Sequence, residues 1–224
     1  MKSTLGDARW TFTPTVVSLM AMSLVLASSS PYRRELLRRL CLEFVVDSPD
    51  IDETSQPGET ARELVERLSI QKAKAVARRH RDSLVIGSDQ VLTIDKDIIG
   101  KPRDFSTNVS QLQRASGRRV EFVTGLCLLN SATGGVQSDV VFFNVTFRVL
   151  EPRQITSYVQ RERPFDCAGG FKSEGLGISL FETMHGEDPT ALIGLPLMKL
   201  VTMLKCEGVD VLTRTGLTNT VPSG

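Results

Sequence analysis

The chain has 224 residues, 41% of them hydrophobic, enough to bury a full core as one domain or as two closely packed lobes. Its 27 Lys and Arg against 26 Asp and Glu leave a formal charge of +1, which argues against non-specific nucleic-acid binding but leaves room for a small anion held by a few converging cations. No apolar run reaches the roughly 18 residues of a membrane span, and Cys41, Cys127, Cys167 and Cys206 are too dispersed for a zinc site, so they read as reduced thiols of a cytoplasmic protein.

Taken in chain order, residues 1–22 read as a disordered extension or an over-long start. The apolar run Val16 to Ala27 before three serines resembles a secretory signal, but Asp7 weakens the charged region ahead of it. Leu24 to Ala27 reads better as a first buried strand. Ser30-Pro31 then signals a helix start, with Leu36, Leu37 and Leu40 on one face. Asp47 to Gly58 is an acidic, turn-rich loop. A second helix is expected over Glu59 to His80 with the apolar stripe Leu64, Val65, Leu68 and Val76. Lys72 falls on that stripe, either snorkelling at the edge of the core or reaching into a cleft.

Ser83 to Val91 reads as a buried strand with Asp89 and Gln90 near its C-terminal end. Ser106 to Gly117 reads as a helix closed by glycine. Val120 to Asn130 and Val136 to Leu150 form two long strands joined by the hairpin signal Ala132-Thr-Gly-Gly135. A helix begins near Pro152, a glycine-rich segment runs from Cys167 to Leu180, and Leu195 to Cys206 is the last helix. Residues 213–224 read as a disordered polar tail. The mixture of helices with a central hairpin predicts an α/β fold whose twisted sheet is mixed, with helices flanking it.

Four features carry chemistry. The serine-rich turn Ser28 to Ser30 feeding a helix offers backbone N–H groups and hydroxyls to an anion. Arg33 and Arg34 oppose the helix dipole there, which makes sense around a bound phosphate; the plainer reading is a capped surface helix with solvated arginines. The acidic run Asp50-Ile-Asp-Glu53 offers oxygen ligands to a divalent cation, or is simply a solvated loop. Asp89, held on a buried strand, suits a general base or metal ligand, although aspartate at a strand end is also a common turn former. Lys72, Lys101 and Lys172 each have a bland reading as surface charge, but together they offer cations for one cleft. No P-loop, GxGxxG fingerprint or GxSxG elbow is present, and His80 and His185 are too few and too separated for a convincing triad.

Read in order, the motifs are Leu26-Ala-Ser-Ser-Ser-Pro-Tyr-Arg-Arg34, Asp52-Glu53, Gln71-Lys-Ala-Lys74, Ile86-Gly-Ser-Asp-Gln90, Gly100-Lys-Pro102, Ala168-Gly-Gly-Phe-Lys-Ser-Glu-Gly175 and Leu192-Ile-Gly-Leu-Pro-Leu197. This succession resembles the Maf family of nucleotide pyrophosphatases, related in fold to inosine-triphosphatase-like enzymes, and covers Leu24 to Leu212. The resemblance implies a deep cleft between two lobes, a pyrophosphatase domain over 23–212, and hydrolysis of a nucleoside triphosphate to its monophosphate and pyrophosphate. It makes Asp89 the general base, Glu53 and Asp89 the ligands of Mg²⁺ or Mn²⁺, and Ser28, Arg33, Arg34, Lys72, Lys101 and Lys172 the phosphate-binding set.

Tyr32, Gln90 and Glu174 resemble the specificity positions of the branch that hydrolyses 7-methyl-GTP, which usually carries Trp at the position of Tyr32. Tyrosine keeps an aromatic face there and makes it smaller. The resemblance also suggests a homodimer, while the near-neutral charge and the lack of a membrane-length apolar run speak against a nucleic-acid or membrane partner. The competing expectations are a pyrophosphatase for dTTP, UTP or another modified nucleotide, and a nucleotide-binding module that does not turn over.

Overall fold

The structure is a computed structural model and describes residues 22–217. The expected N-terminal extension therefore lies outside the described residues except for Met22, as do 218–224. In the segment expected to be a tail, residues 213–217 follow a turn, and Leu217 forms a bridge to Met22.

A seven-stranded sheet forms the centre, in the order β2-β1-β3-β5-β6-β7, with β4 pairing β3 on the same side as β1. The first strand, β1 (Ser23–Ala27), is buried over Leu24 to Ala27 and lies parallel to both β2 (Val45–Val46) and β3 (Ser83–Ile94). β3 then runs antiparallel to β4 (Asp97–Ile99) and to β5 (Arg119–Asn130), which forms the long hairpin with β6 (Val136–Phe147). β7 (Phe181–Gly186) closes the far edge antiparallel to β6. The sheet is mixed, with helices against it, as expected.

Helix α1 (Pro31–Arg38) starts where β1 ends. Ser30 caps it, accepting from the Arg33 N–H, and Pro31 occupies the first turn, where no N–H is needed. Helix α2 (Ala61–Ala77) opens with a reciprocal capping box between Thr60 and Glu63. It lies unusually deep against the sheet. A Cβ on Gly87 of β3 would sit 2.1 Å from the Ser69 carbonyl oxygen, and one on Gly125 of β5 would sit 2.2 Å from that of Val65. Only glycine at both places lets the helix backbone approach this closely.

Side-chain alternation along β3 sorts the core. Val85 joins Val25, Ala73, Val76 and Cys127 beneath α2, while Leu84 and Ile86 join Leu36, Leu37, Leu200 and Leu204 of α1 and α5 (Leu197–Cys206). A separate core at the other end gathers Leu92, Phe122, Phe147 and Phe171 with residues of α3 (Phe105–Ala115) and α4 (Pro152–Glu162). Its Phe122, Phe147, Phe171 and Phe181 rings meet edge to face at 4.8–5.5 Å.

One strand expectation needs correction. β3 does not end at Val91 but continues to Ile94, so Asp89 and Gln90 lie within the strand rather than near its end. The chain then turns through Asp95 and Lys96, both with positive φ, into β4. That turn lacks the glycine that usually announces such a conformation. The mid-strand position has its own consequence. Pairing with β1 stops at Gly87 and pairing with β4 starts at Leu92, so that edge of Ser88 to Val91 has no strand beside it. The result is a notch in the sheet, opening next to the N-terminus of α1.

Candidate active site

Alternation puts neighbouring residues Asp89 and Gln90 on opposite faces of β3. Asp89 points toward α2, where the Lys72 ammonium lies 2.7 Å from its Oδ1 and 2.6 Å from Glu53 Oε1. The Lys72 and Asp89 side chains are only 6% and 11% exposed, and Asp89 has no other ion-pair partner among the described residues, so removing Lys72 would strand its charge away from water. The lysine on the apolar stripe of α2 therefore serves two carboxylates. Its reach is set by the helix depth that Gly87 and Gly125 permit.

Glu53 comes from the acidic loop, which is tied to α2 near both ends. Arg79 and His80 hold Asp47, while Arg67 holds both Glu59 oxygens and the Thr54 carbonyl. Partial burial opposes ionisation of Glu53. The Lys72 hydrogen bond and charge, aided by Lys101 and Arg33, outweigh that and hold its carboxyl below the usual range.

On the opposite face, the Gln90 amide donates to Thr124 Oγ1 and to the Ala191 and Leu192 carbonyls. The adjacent Gly194 carbonyl accepts from Arg33 Nε at 2.7 Å and from Ser88 Oγ at 2.9 Å. Segment 188–194 is thus fastened to both β3 and α1. Burial lowers the Arg33 pKa against the pull of Asp89 and Glu53, whose charges reach it through the notch. Ser28, buried at the end of β1, accepts from the Ser30 N–H and shapes the turn before α1.

These elements wall a cleft that is open to solvent at its mouth. Ser30, Tyr32 and Arg33 at the start of α1 line it, with Gln90 and Phe122 of the sheet and Lys101. The segment after α4 lines it too, through Asp166, Cys167, Phe171, Ser173 and Glu174. The Tyr32 hydroxyl lies 3.3–3.4 Å from both Asp166 carboxylate oxygens, and Glu174 accepts from the Ser173 hydroxyl. Burial pushes the Cys167 thiol up to about 12.

Of the residues expected from the sequence, Tyr32, Arg33, Gln90, Lys101 and Glu174 line this one cleft, and Asp89, Lys72 and Glu53 form the charged cluster behind the notch. Ser28 shapes the turn. Arg34 is exposed, and Lys172 donates its ammonium to the Glu162 carbonyl at the end of α4 rather than lining the cleft. Sequence reasoning missed Asp166, Cys167 and Thr124 in the site, and the anchors Asp47, Arg67 and Arg79 behind it. Only the position of Asp166 and Cys167 directly ahead of the glycine-rich motif gave a signal.

The donor set also says which cation these residues would suit. Among the described residues, no group of three or more His, Cys, Asp and Glu side chains is arranged to hold a metal. Asp89 Oδ2 has no hydrogen-bond partner among the described residues, and Glu53 is half exposed. Two carboxylates fit a cation such as Mg²⁺ that brings phosphate oxygens and waters to complete its shell.

Comparison with known proteins bears on this arrangement. A protein of Pseudomonas aeruginosa named 7-methyl-GTP pyrophosphatase is 57% identical over 188 residues, 84% of this chain and 98% of its own length. The protein of the same name from Alcanivorax borkumensis is 53% identical over 189 residues, 84% and 96% of the two chains. The solved structure of the Staphylococcus aureus Ham1 protein aligns with a TM-score of 0.47 at 16% identity over 83% of this chain and 99% of that one, too loose a likeness to carry weight. The family model described as Maf-like protein matches residues 23–207, and with relatives this similar along nearly their full length, the chain belongs to the Maf family.

Proposed function

We propose that this chain hydrolyses 7-methyl-GTP to 7-methyl-GMP and pyrophosphate. The observation that carries this reading is the set of groups in the cleft. Arg33 and Lys101 line it and act on the Glu53 carboxyl of the charged cluster, while Tyr32, hydrogen-bonded to Asp166, and Glu174 line it too. A ligand with a polyanionic tail and an electron-poor aromatic head matches both kinds of group. The name shared by relatives at 53–57% identity supports the same substrate.

In this reading the N-terminal turn of α1, from Ser28 to Arg33, holds the triphosphate with Lys72 and Lys101. Arg34 approaches from solvent, and Lys172 contributes by releasing the Glu162 carbonyl. Lys72 fixes Asp89 through Oδ1, which leaves Oδ2 to accept a proton from water. The oxygen of that water bonds to the α-phosphorus as the bond to the bridging oxygen breaks, and pyrophosphate leaves. Glu53 and Asp89 would hold a divalent cation, which would supply neutralisation of charge on the leaving group. Tyr32 stacks on the base, Glu174 accepts from its N1–H and exocyclic amine, and Gln90 shapes the cleft. The reading carries with it a catalytic domain over residues 23–212 in a cytoplasmic homodimer.

The test is pyrophosphate release from 7-methyl-GTP, GTP, dTTP and UTP with Mg²⁺ or Mn²⁺. The highest kcat/KM is expected for 7-methyl-GTP. A higher value for dTTP or UTP would replace the substrate, and no release from any of the four would remove the catalytic reading.

A further inference from the structure

The mouth of the cleft holds one more charge than recognition of guanine requires. Asp166 sits in the tight segment after α4, between Phe165, whose carbonyl accepts from the Arg103 N–H at 3.1 Å, and Cys167, whose N–H donates to the Pro164 carbonyl at 3.3 Å. The backbone on both sides of it is therefore fixed. Its two carboxylate oxygens straddle the Tyr32 hydroxyl, and its other contact is the Cys167 thiol at 3.6 Å. Both partners are neutral groups.

Among the described residues, neither Asp166 nor Glu174 forms an ion pair, whereas Asp89 and Glu53 share Lys72. A neutral guanine satisfies one carboxylate through its N1–H and amine. It leaves the second facing an aromatic ring with no ion-pair partner, and closing a ligand over that carboxylate strips it of water. A purine methylated at N7 carries a positive charge on the ring and removes the imbalance.

We propose that Asp166 is a specificity-determining residue that distinguishes a cationic from a neutral purine by charge, through direct attraction to the ring. The inference rests on the 7-methyl-GTP reading. The Tyr32 phenol, kept protonated by burial first and then by Cys167 and Asp166, donates to the carboxylate and holds it beside the plane where the base would stack. Tyrosine supplies a donor in that direction, so its smaller ring comes with a fixed anion next to it.

The experiment compares kcat/KM for 7-methyl-GTP, for GTP, and for 7-methyl-7-deaza-GTP, which has the methyl group without the charge. Wild-type protein should favour the cation over its neutral isostere. D166N should reduce that ratio about tenfold, the range expected for loss of one charge-assisted contact, with little change in turnover of the two neutral substrates. Y32F, which keeps the ring and the Asp166 charge but removes the hydroxyl that holds the carboxylate in place, should lower the ratio by less than D166N does.

An unchanged ratio in D166N, an equal fall for all three substrates, or a Y32F variant that loses the ratio as fully as D166N overturns the inference and leaves the 7-methyl-GTP reading standing. The same holds if the wild-type protein hydrolyses the cation and its isostere equally well. Failure of wild-type protein to hydrolyse 7-methyl-GTP at all removes that reading, and the inference with it.

Discussion

Asp89 and Gln90 are adjacent in sequence but belong to regions built on different terms. Asp89 faces a closed network in which Lys72 touches two carboxylates and two glycines set the distance. Gln90 faces an open cleft whose lining includes a loop bearing carboxylates with only neutral partners. The closed region couples stability to chemistry, because its charges are compensated by one another rather than by water. The open region separates them, so its groups can alter ligand choice with little effect on folding.

The sharpest way to break that contrast is D89N. Loss of the proposed base should reduce turnover by about 10² to 10⁴-fold while the variant stays folded, as single-turnover assays and circular dichroism would show. Near-normal activity would remove Asp89 from the chemistry and leave the network a purely structural device. Next in size is K72M. Breaking a buried pair from one side should destabilise the fold by about 3–5 kcal/mol in denaturant titration. Adding D89N to K72M should recover much of that loss, since the stranded charge is gone, and no recovery would mean that Lys72 acts through packing alone.

The smallest expected effect lies at the loop anchor. The Arg79 hydrogen bond, with help from His80 and against partial burial, holds the Asp47 carboxyl below its usual range. A depressed folded-state pKa contributes stability above the unfolded value, about pH 4, and that contribution disappears as pH falls through the folded value. D47N should therefore lower the melting temperature by about 2 °C at pH 7, with the gap closing in acid. A gap that persists in acid would show that the anchor does not work through charge.

Much of this was legible in the chain. The β1–serine turn–α1 unit stood out because a buried run, a cap and a proline follow one another, and Lys72 stood out as a charge on an apolar stripe. The side of β3 that Asp89 faces was also available, since it alternates in step with Val85 and Gly87, but reading Asp89 as a strand end concealed it. β7, Phe-Glu-Thr-Met-His-Gly, is an edge strand exposed along most of its length and carries no alternation to detect. The Asp95–Lys96 turn into β4 hides for want of a glycine. Asp166 meets Tyr32 across 134 residues of chain, a contact made by tertiary closure and invisible to local pattern.

Gly87 and Gly125 carry no functional group, yet they act as a gauge block between helix and sheet. One added carbon on either would have to displace backbone and lift α2, carrying the Lys72 ammonium away from Asp89 as a lever carries its tip. The alignment of the charged cluster is thus written partly in atoms that are missing. A survey of the chain for reactive side chains would pass over the two positions that hold the tolerance.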